Sequence, residues 1–106
     1  MPFADQGGGS PHSSVSAALS ASTPTLVLAA RTEPPWRTSL ILQNQTAGDI
    51  YIGDNTITGN SSATNPGIRM TGNLSPPYTI TDATINGAIY GMSNSGSGVL
   101  QILEVY

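Results

Sequence analysis

Apolar residues in this chain arrive in short alternating runs, and clusters of Gly, Pro, Asn, Asp and Ser cut those runs apart at roughly ten-residue intervals. This punctuation is the tightest constraint the sequence imposes. No stretch keeps apolar residues at helical spacing for more than about two turns, and the Ala17 to Ala21 patch is interrupted by serines. The expected helix content is near zero, which leaves an all-β chain.

The runs can be placed one by one. Pro24 to Ala30 (PTLVLAA) is an apolar run of strand length, ended by the breakers of Arg31 to Pro35 (RTEPP). Arg37 to Asn44 (RTSLILQN) alternates, with Leu40 and Leu42 on one face and Ser39, Ile41 and Gln43 on the other, as a half-buried strand does. QTAGD then supplies a turn into Asp49 to Asp54 (DIYIGD), where Ile50 and Ile52 oppose Tyr51, and the two runs are expected to form a hairpin. Asn55 to Gly67 reads as a long polar loop with a short edge strand at Thr56 to Thr58. Brief strands follow at Gly67 to Met70 and Tyr78 to Thr81, separated by TGNLSPP, whose prolines suit an edge or a corner. Asn86 to Ser93 and Val99 to Tyr106, linked by NSGSG, read as a closing hairpin.

Seven or eight such strands predict a small antiparallel β-sandwich, of jelly-roll type because the long loops and prolines look like sheet-to-sheet crossings. The expected core is Leu26, Leu28, Leu40, Leu42, Ile50, Ile52, Ile80, Ile89, Leu100 and Ile102, with Trp36 covering one end. At 106 residues, about two thirds of the unfolded surface can be buried, enough for one core and not two. Residues 1–14 (MPFADQGGGSPHSS) hold one large apolar side chain, Phe3, and cannot bury enough to fix themselves, so they are expected to form a flexible arm ahead of a sandwich domain at 15–106.

Only 8% of the residues are charged. Ordinary domains carry about 25%. Lysine is absent, and Arg31, Arg37 and Arg69 are the only fixed cations against Asp5, Asp49, Asp54, Asp82, Glu33 and Glu104. A grip on phosphate backbones needs clustered cations, so nucleic-acid binding is not expected. Few charges also means little defence against association at sheet edges, which suits a subunit of something larger. Without cysteine there is neither disulfide scaffold nor thiolate metal site. No run approaches the roughly 18 apolar residues of a membrane span, and the start lacks the basic and apolar blocks of a signal peptide; the expectation is a chain made and kept soluble in the cytosol, with no membrane partner.

Catalysis needs tunable groups held together. His12, the lone imidazole, falls in the arm with no orienting partner, and no G-x-S-x-G elbow accompanies the many serines. Asp49 and Asp54 flank one strand and would stand about 17 Å apart, too far for a glycosidase pair; aspartates in turns mostly bond their own backbone. Asp54, Asn55 and Asn60 offer oxygens to calcium but no calcium-loop motif. GGGS at Gly7 to Ser10 lacks the strand and lysine of a phosphate loop. An enzyme is therefore not expected, nor a cofactor or resident metal. Trp36, Tyr51, Tyr78 and Tyr90 could form a sugar platform, although single aromatics on strands more often pack in the core or across strands. The candidate partner-binding residues are Phe3, as anchor of the arm, with Trp36, Arg37 and Arg69.

RTSLILQNQTAGDIYIGD, followed by a polar loop, a Pro-rich turn and GAIYGMSNSGSGVLQILEVY, resembles small virion proteins of tailed bacteriophages that decorate or cement the capsid. The likeness covers Leu26 to Tyr106 and rests on N-x-x-x-x-D-I-Y-I-G with the final A-I-Y-x-x-S-x-S-G segment. It implies a structural protein on the capsid exterior, made in the host cytoplasm, commonly a homotrimer, that binds and braces the major capsid protein. The family has no catalytic residues to carry over. Similar sequences form the base of larger head fibres, and a chain ending at Tyr106 without a receptor domain fits cement better than fibre. The alternative is a carbohydrate-binding or host-attachment module of a phage virion.

Overall fold

A computed structural model describes residues 12–60, 64–72, 76–81, 86–94 and 96–106. Among them the chain is all-β: β1 (His12–Leu19), β2 (Thr25–Leu28), β3 (Ser39–Asn44), β4 (Ile50–Gly53), β5 (Ile68–Met70), β6 (Tyr78–Ile80), β7 (Ile89–Ser93) and β8 (Gly98–Val105). They form two four-stranded sheets, the first in the order β1-β8-β3-β6 and the second β2-β7-β4-β5. Every pairing is antiparallel.

Consecutive strands therefore change sheets at every connection except β4 to β5. The hairpins expected around QTAGD and NSGSG are not formed; both links arch from one sheet to the other. The apolar alternation is the same in either case, because strands joined by an arch also turn their apolar faces toward each other. What turns the first link is Asn44, fully buried, whose Oδ1 accepts from Thr46 N at 2.8 Å while its Nδ2 donates to Gly48 O at 2.8 Å and Met70 O at 3.1 Å. The second is shaped by Ser93 Oγ donating to Gly96 O at 2.7 Å, with Gly96 at φ +63°.

Leu40, Leu42, Leu100 and Ile102 of the first sheet face Leu28, Ile50, Ile52 and Met70 of the second. Burying each such side chain contributes about 1.5–3 kcal/mol. Two of the expected core residues lie outside it: Leu26 is 50% and Trp36 47% exposed. The register of β2 on β7 slips between Leu26 and Leu28, a bulge that buries Val27 and Leu28 together and turns Leu26 to the outer face beside Tyr90. Ile80 and Ile89 are partly buried against the core.

Strand β1 includes His12, Ser13 and Ser14, which composition assigned to the arm; they pair with Val105, Glu104 and Leu103. Ladder bonding to β8 requires backbone, not apolar side chains, so a Ser-rich segment can take it. Residues 1–11 lie outside the described residues.

The polar stretch after β4 is not a free loop. Thr58 N donates to Asn65 O at 3.0 Å and Gly59 N to Pro66 O at 3.2 Å, with no strand at 56–58. Ile57 turns inward at 4% exposure, and Tyr51 and Met92, on the outer face of the second sheet, are left at 2% and 3%. The close approach demands glycine at Gly67, which has φ +99° and where a Cβ would stand 2.9 Å from Ile52 O.

Candidate interaction surface

Residue-by-residue pairing fixes the faces of the first sheet. Val15, Ile102, Leu42 and Tyr78 form one inward row, and Ser13, Glu104, Leu40 and Ile80 the next. The intervening rows point outward: Ser14, Leu103, Ile41 and Thr79; Ser16, Gln101 and Gln43; Ala18 and Val99; His12, Val105 and Ser39. Among the described residues, no Asp, Glu, Lys or Arg stands on this face. Ile41 and Leu103 are cross-strand partners at its centre, half-buried by their neighbours, and Val99 is 40% exposed.

The face covers about 400 Å² in projection at ordinary strand spacing and rise. Exposed patches of several hundred Å² with an apolar centre and a polar rim mark association sites. Docking at the centre of this face strips water from hydroxyls, amides and methyls, and avoids the large cost of desolvating a carboxylate, ammonium or guanidinium. The second sheet differs: its outer face is covered around Ile57, and beside it Arg69 Nε donates to Asp49 Oδ2 at 2.8 Å.

β8 explains the inversion. In VLQILEVY the one acid, Glu104, takes a core position, and Leu103 and Val105 take the solvent side. Glu104 is held by Arg37, whose Nε donates to its Oε2 at 2.8 Å with side-chain exposures of 2% for Arg37 and 9% for Glu104. Arg37 NH1 donates to Gly87 O at 3.1 Å and NH2 to Ala29 O at 2.7 Å. Ser13 Oγ donates to Glu104 Oε1 at 3.2 Å. Gly87 precedes β7 and Ala29 follows β2, so one guanidinium ties the end of the second sheet to the end of the first.

Arg37 is thus corrected from a partner-binding candidate to an interior clamp: a side chain this buried and this bonded offers nothing to a partner. Trp36 is exposed just before it, and Arg69 is exposed in its ion pair with Asp49. Phe3 lies outside the described residues. Of the three described candidates, Trp36 and Arg37 lie just ahead of β3 in the first sheet and Arg69 stands on β5 in the second. Ile41 and Leu103 were the residues to notice, apolar side chains in the polar phase of their strands.

His12 is exposed at the start of β1. Asp54 serves its own turn: Oδ1 accepts from Thr56 Oγ1 at 2.5 Å and from Thr56 N at 2.9 Å. The Thr56 hydroxyl, then its N–H, hold this carboxyl below its ordinary value, with a smaller contribution from Asn65. Among the described residues no group of three His, Cys, Asp or Glu could hold a metal. Tyr51 is buried, so Trp36, Tyr51 and Tyr78 form no exposed row.

Clefts also open among the described residues. One, of about 380 Å³, opens beside Arg31, Glu33, Arg37 and Glu104. Another, of about 330 Å³, is apolar and lies between Ile52, Ile68, Ile80 and Ile89, on the side of the sandwich where the edge strands β5 and β6 face each other. No family model, no curated protein and no solved structure matches this chain.

Proposed function

We propose that this chain is a structural virion protein that binds the outer surface of a phage capsid and braces the major capsid protein shell. The observation that carries the reading is the uncharged outer face of the first sheet, centred on Ile41 and Leu103. A shell offers the same contact at many equivalent positions, so copies joined to one another on it gain avidity from a neutral docking face that is weak alone. The sequence resemblance to capsid decoration proteins supports the same assignment.

The fold is read as a jelly roll. The pairs β1 with β8, β2 with β7, β3 with β6 and β4 with β5 describe one long antiparallel ribbon, folded at the β4–β5 turn and rolled so that its successive pairs fall in alternate sheets. Double-sheet rolls of eight strands are common in capsid-associated and lectin domains. A glycan-attachment role is supported less well, for lack of an aromatic row among the described residues.

Co-sedimentation with purified heads tests the proposal. The wild-type chain is expected to pellet with heads, and Ile41→Glu with Leu103→Lys, which sets opposite charges on this cross-strand pair, to stay in the supernatant with an unchanged circular dichroism spectrum. Wild-type protein that never pellets, or a double variant that pellets as well as wild type, sinks it.

A further inference from the structure

We propose that β1 pairs antiparallel with the β1 of a second copy, joining two first sheets into one continuous eight-stranded sheet. Four strands end the two sheets: β1, β6, β2 and β5. Three carry the features that discourage edge pairing. β6 has three residues and follows Pro76 and Pro77; β5 has three and holds the Arg69–Asp49 ion pair; β2 is broken by its bulge. β1 has eight residues in unbroken register with β8, and HSSVSAAL contains no Asp, Glu, Lys, Arg or Pro. Among the described residues nothing pairs with its other edge.

The core is also incomplete at this edge. Val15 and Ala17 point inward yet remain only partly buried against the cluster. A second β1 laid alongside would bring its own Val15 and Ala17 to the same level and extend the apolar row. A two-fold axis through Val15 or through Ser16 pairs seven of the eight residues while keeping inward residues opposite inward ones, as face parity requires. No like charges meet across such an axis. A three-fold ring would instead set β1 against a different edge of the next copy, and no other described edge matches its length. The pairing thus yields a dimer, and it does not depend on the shell-binding proposal.

The test uses the full chain. Sedimentation velocity is expected to give twice the 10.9 kDa chain mass. Ser14→Lys with Ser16→Lys, both exposed positions on the outer face, sets ammonium groups against each other across the axis; the variant is expected to be monomeric with an unchanged circular dichroism spectrum and a melting temperature that no longer depends on protein concentration. The chain has no cysteine, so a single thiol reports cleanly. Opposed residues in an antiparallel pair lie about 4.5–5.5 Å apart, within reach of a disulfide. Val15→Cys or Ser16→Cys is expected to form a cross-linked dimer on mild oxidation, whereas Ser39→Cys, in the middle of the sheet, is not. A monomeric or trimeric wild type, a lysine variant that stays dimeric, or absence of cross-link from both thiols overturns the pairing. A chain that dimerises in this way and ignores purified heads supports the pairing and defeats only the shell-binding proposal.

Discussion

Replacing Glu104 by leucine isolates the buried clamp. In the wild type, Arg37 is 2% exposed at its side chain and spends Nε on the carboxylate, NH1 on Gly87 O and NH2 on Ala29 O. Glu104→Leu removes the carboxylate that holds Nε and leaves the buried guanidinium without that counter-charge, while Ser13 Oγ loses its bond to Oε1. Breaking one side of a buried pair costs about 3–5 kcal/mol, set against a total of about 5–15 kcal/mol for a domain of this size. At about 4 °C per kcal/mol the melting temperature falls by roughly 12–20 °C. Urea titrations followed by far-ultraviolet circular dichroism give the free energy directly. Glu104→Gln keeps an acceptor for Nε and should lose only about 1–2 kcal/mol. Arg37→Met added to Glu104→Leu removes both members of the buried pair and should recover about 1–3 kcal/mol relative to the single variant. A single variant that loses less than about 1 kcal/mol, or a double variant no better than the single, refutes the assignment of Arg37 as a clamp.

Three further perturbations follow from the same geometry. Asn44→Ala strands Thr46 N and the carbonyls of Gly48 and Met70, and should cost about 2–4 kcal/mol in urea titrations. Ile57→Ala empties the buried cover over Gly53 and Gly67 and should cost about 2–4 kcal/mol, with faster amide exchange at Tyr51 and Met92. The Asp54 carboxyl, lowered from 3.8 by the Thr56 hydroxyl first and its N–H second, stabilises the fold fully above that ordinary value and loses the contribution as pH falls through the lowered one; Thr56→Ala should move the Asp54 carboxyl titration, followed by carbon-13 NMR, back upward.

Strand positions were legible because period-2 alternation is a local property: Leu40 with Leu42 and Ile50 with Ile52 bury as their spacing predicts. Strand partners were not, since alternation says which residues share a face and nothing about which sheet a strand joins. The QTAGD link could therefore be read as a hairpin when Asn44 in fact turns it into an arch. Leu26 was misplaced by a bulge that leaves no mark in the residue types. The interior role of Arg37 was hidden because its partner Glu104 lies 67 positions away, yet one clue was present: an acid in the core phase of β8 between two apolar residues in the solvent phase. That same inversion points to the Ile41–Leu103 face, which among the described residues holds neither an aromatic nor a cationic anchor. The arm boundary failed at His12 because ladder bonding tolerates serine.

The proposal that the neutral sheet face docks on a capsid shell is tested by a cryo-EM map of phage heads assembled with this chain. Density for the two-sheet domain is expected outside the head, with Ile41 and Leu103 against the major capsid protein. Density for this chain in the tail or inside the head, or with that face turned to solvent, contradicts it.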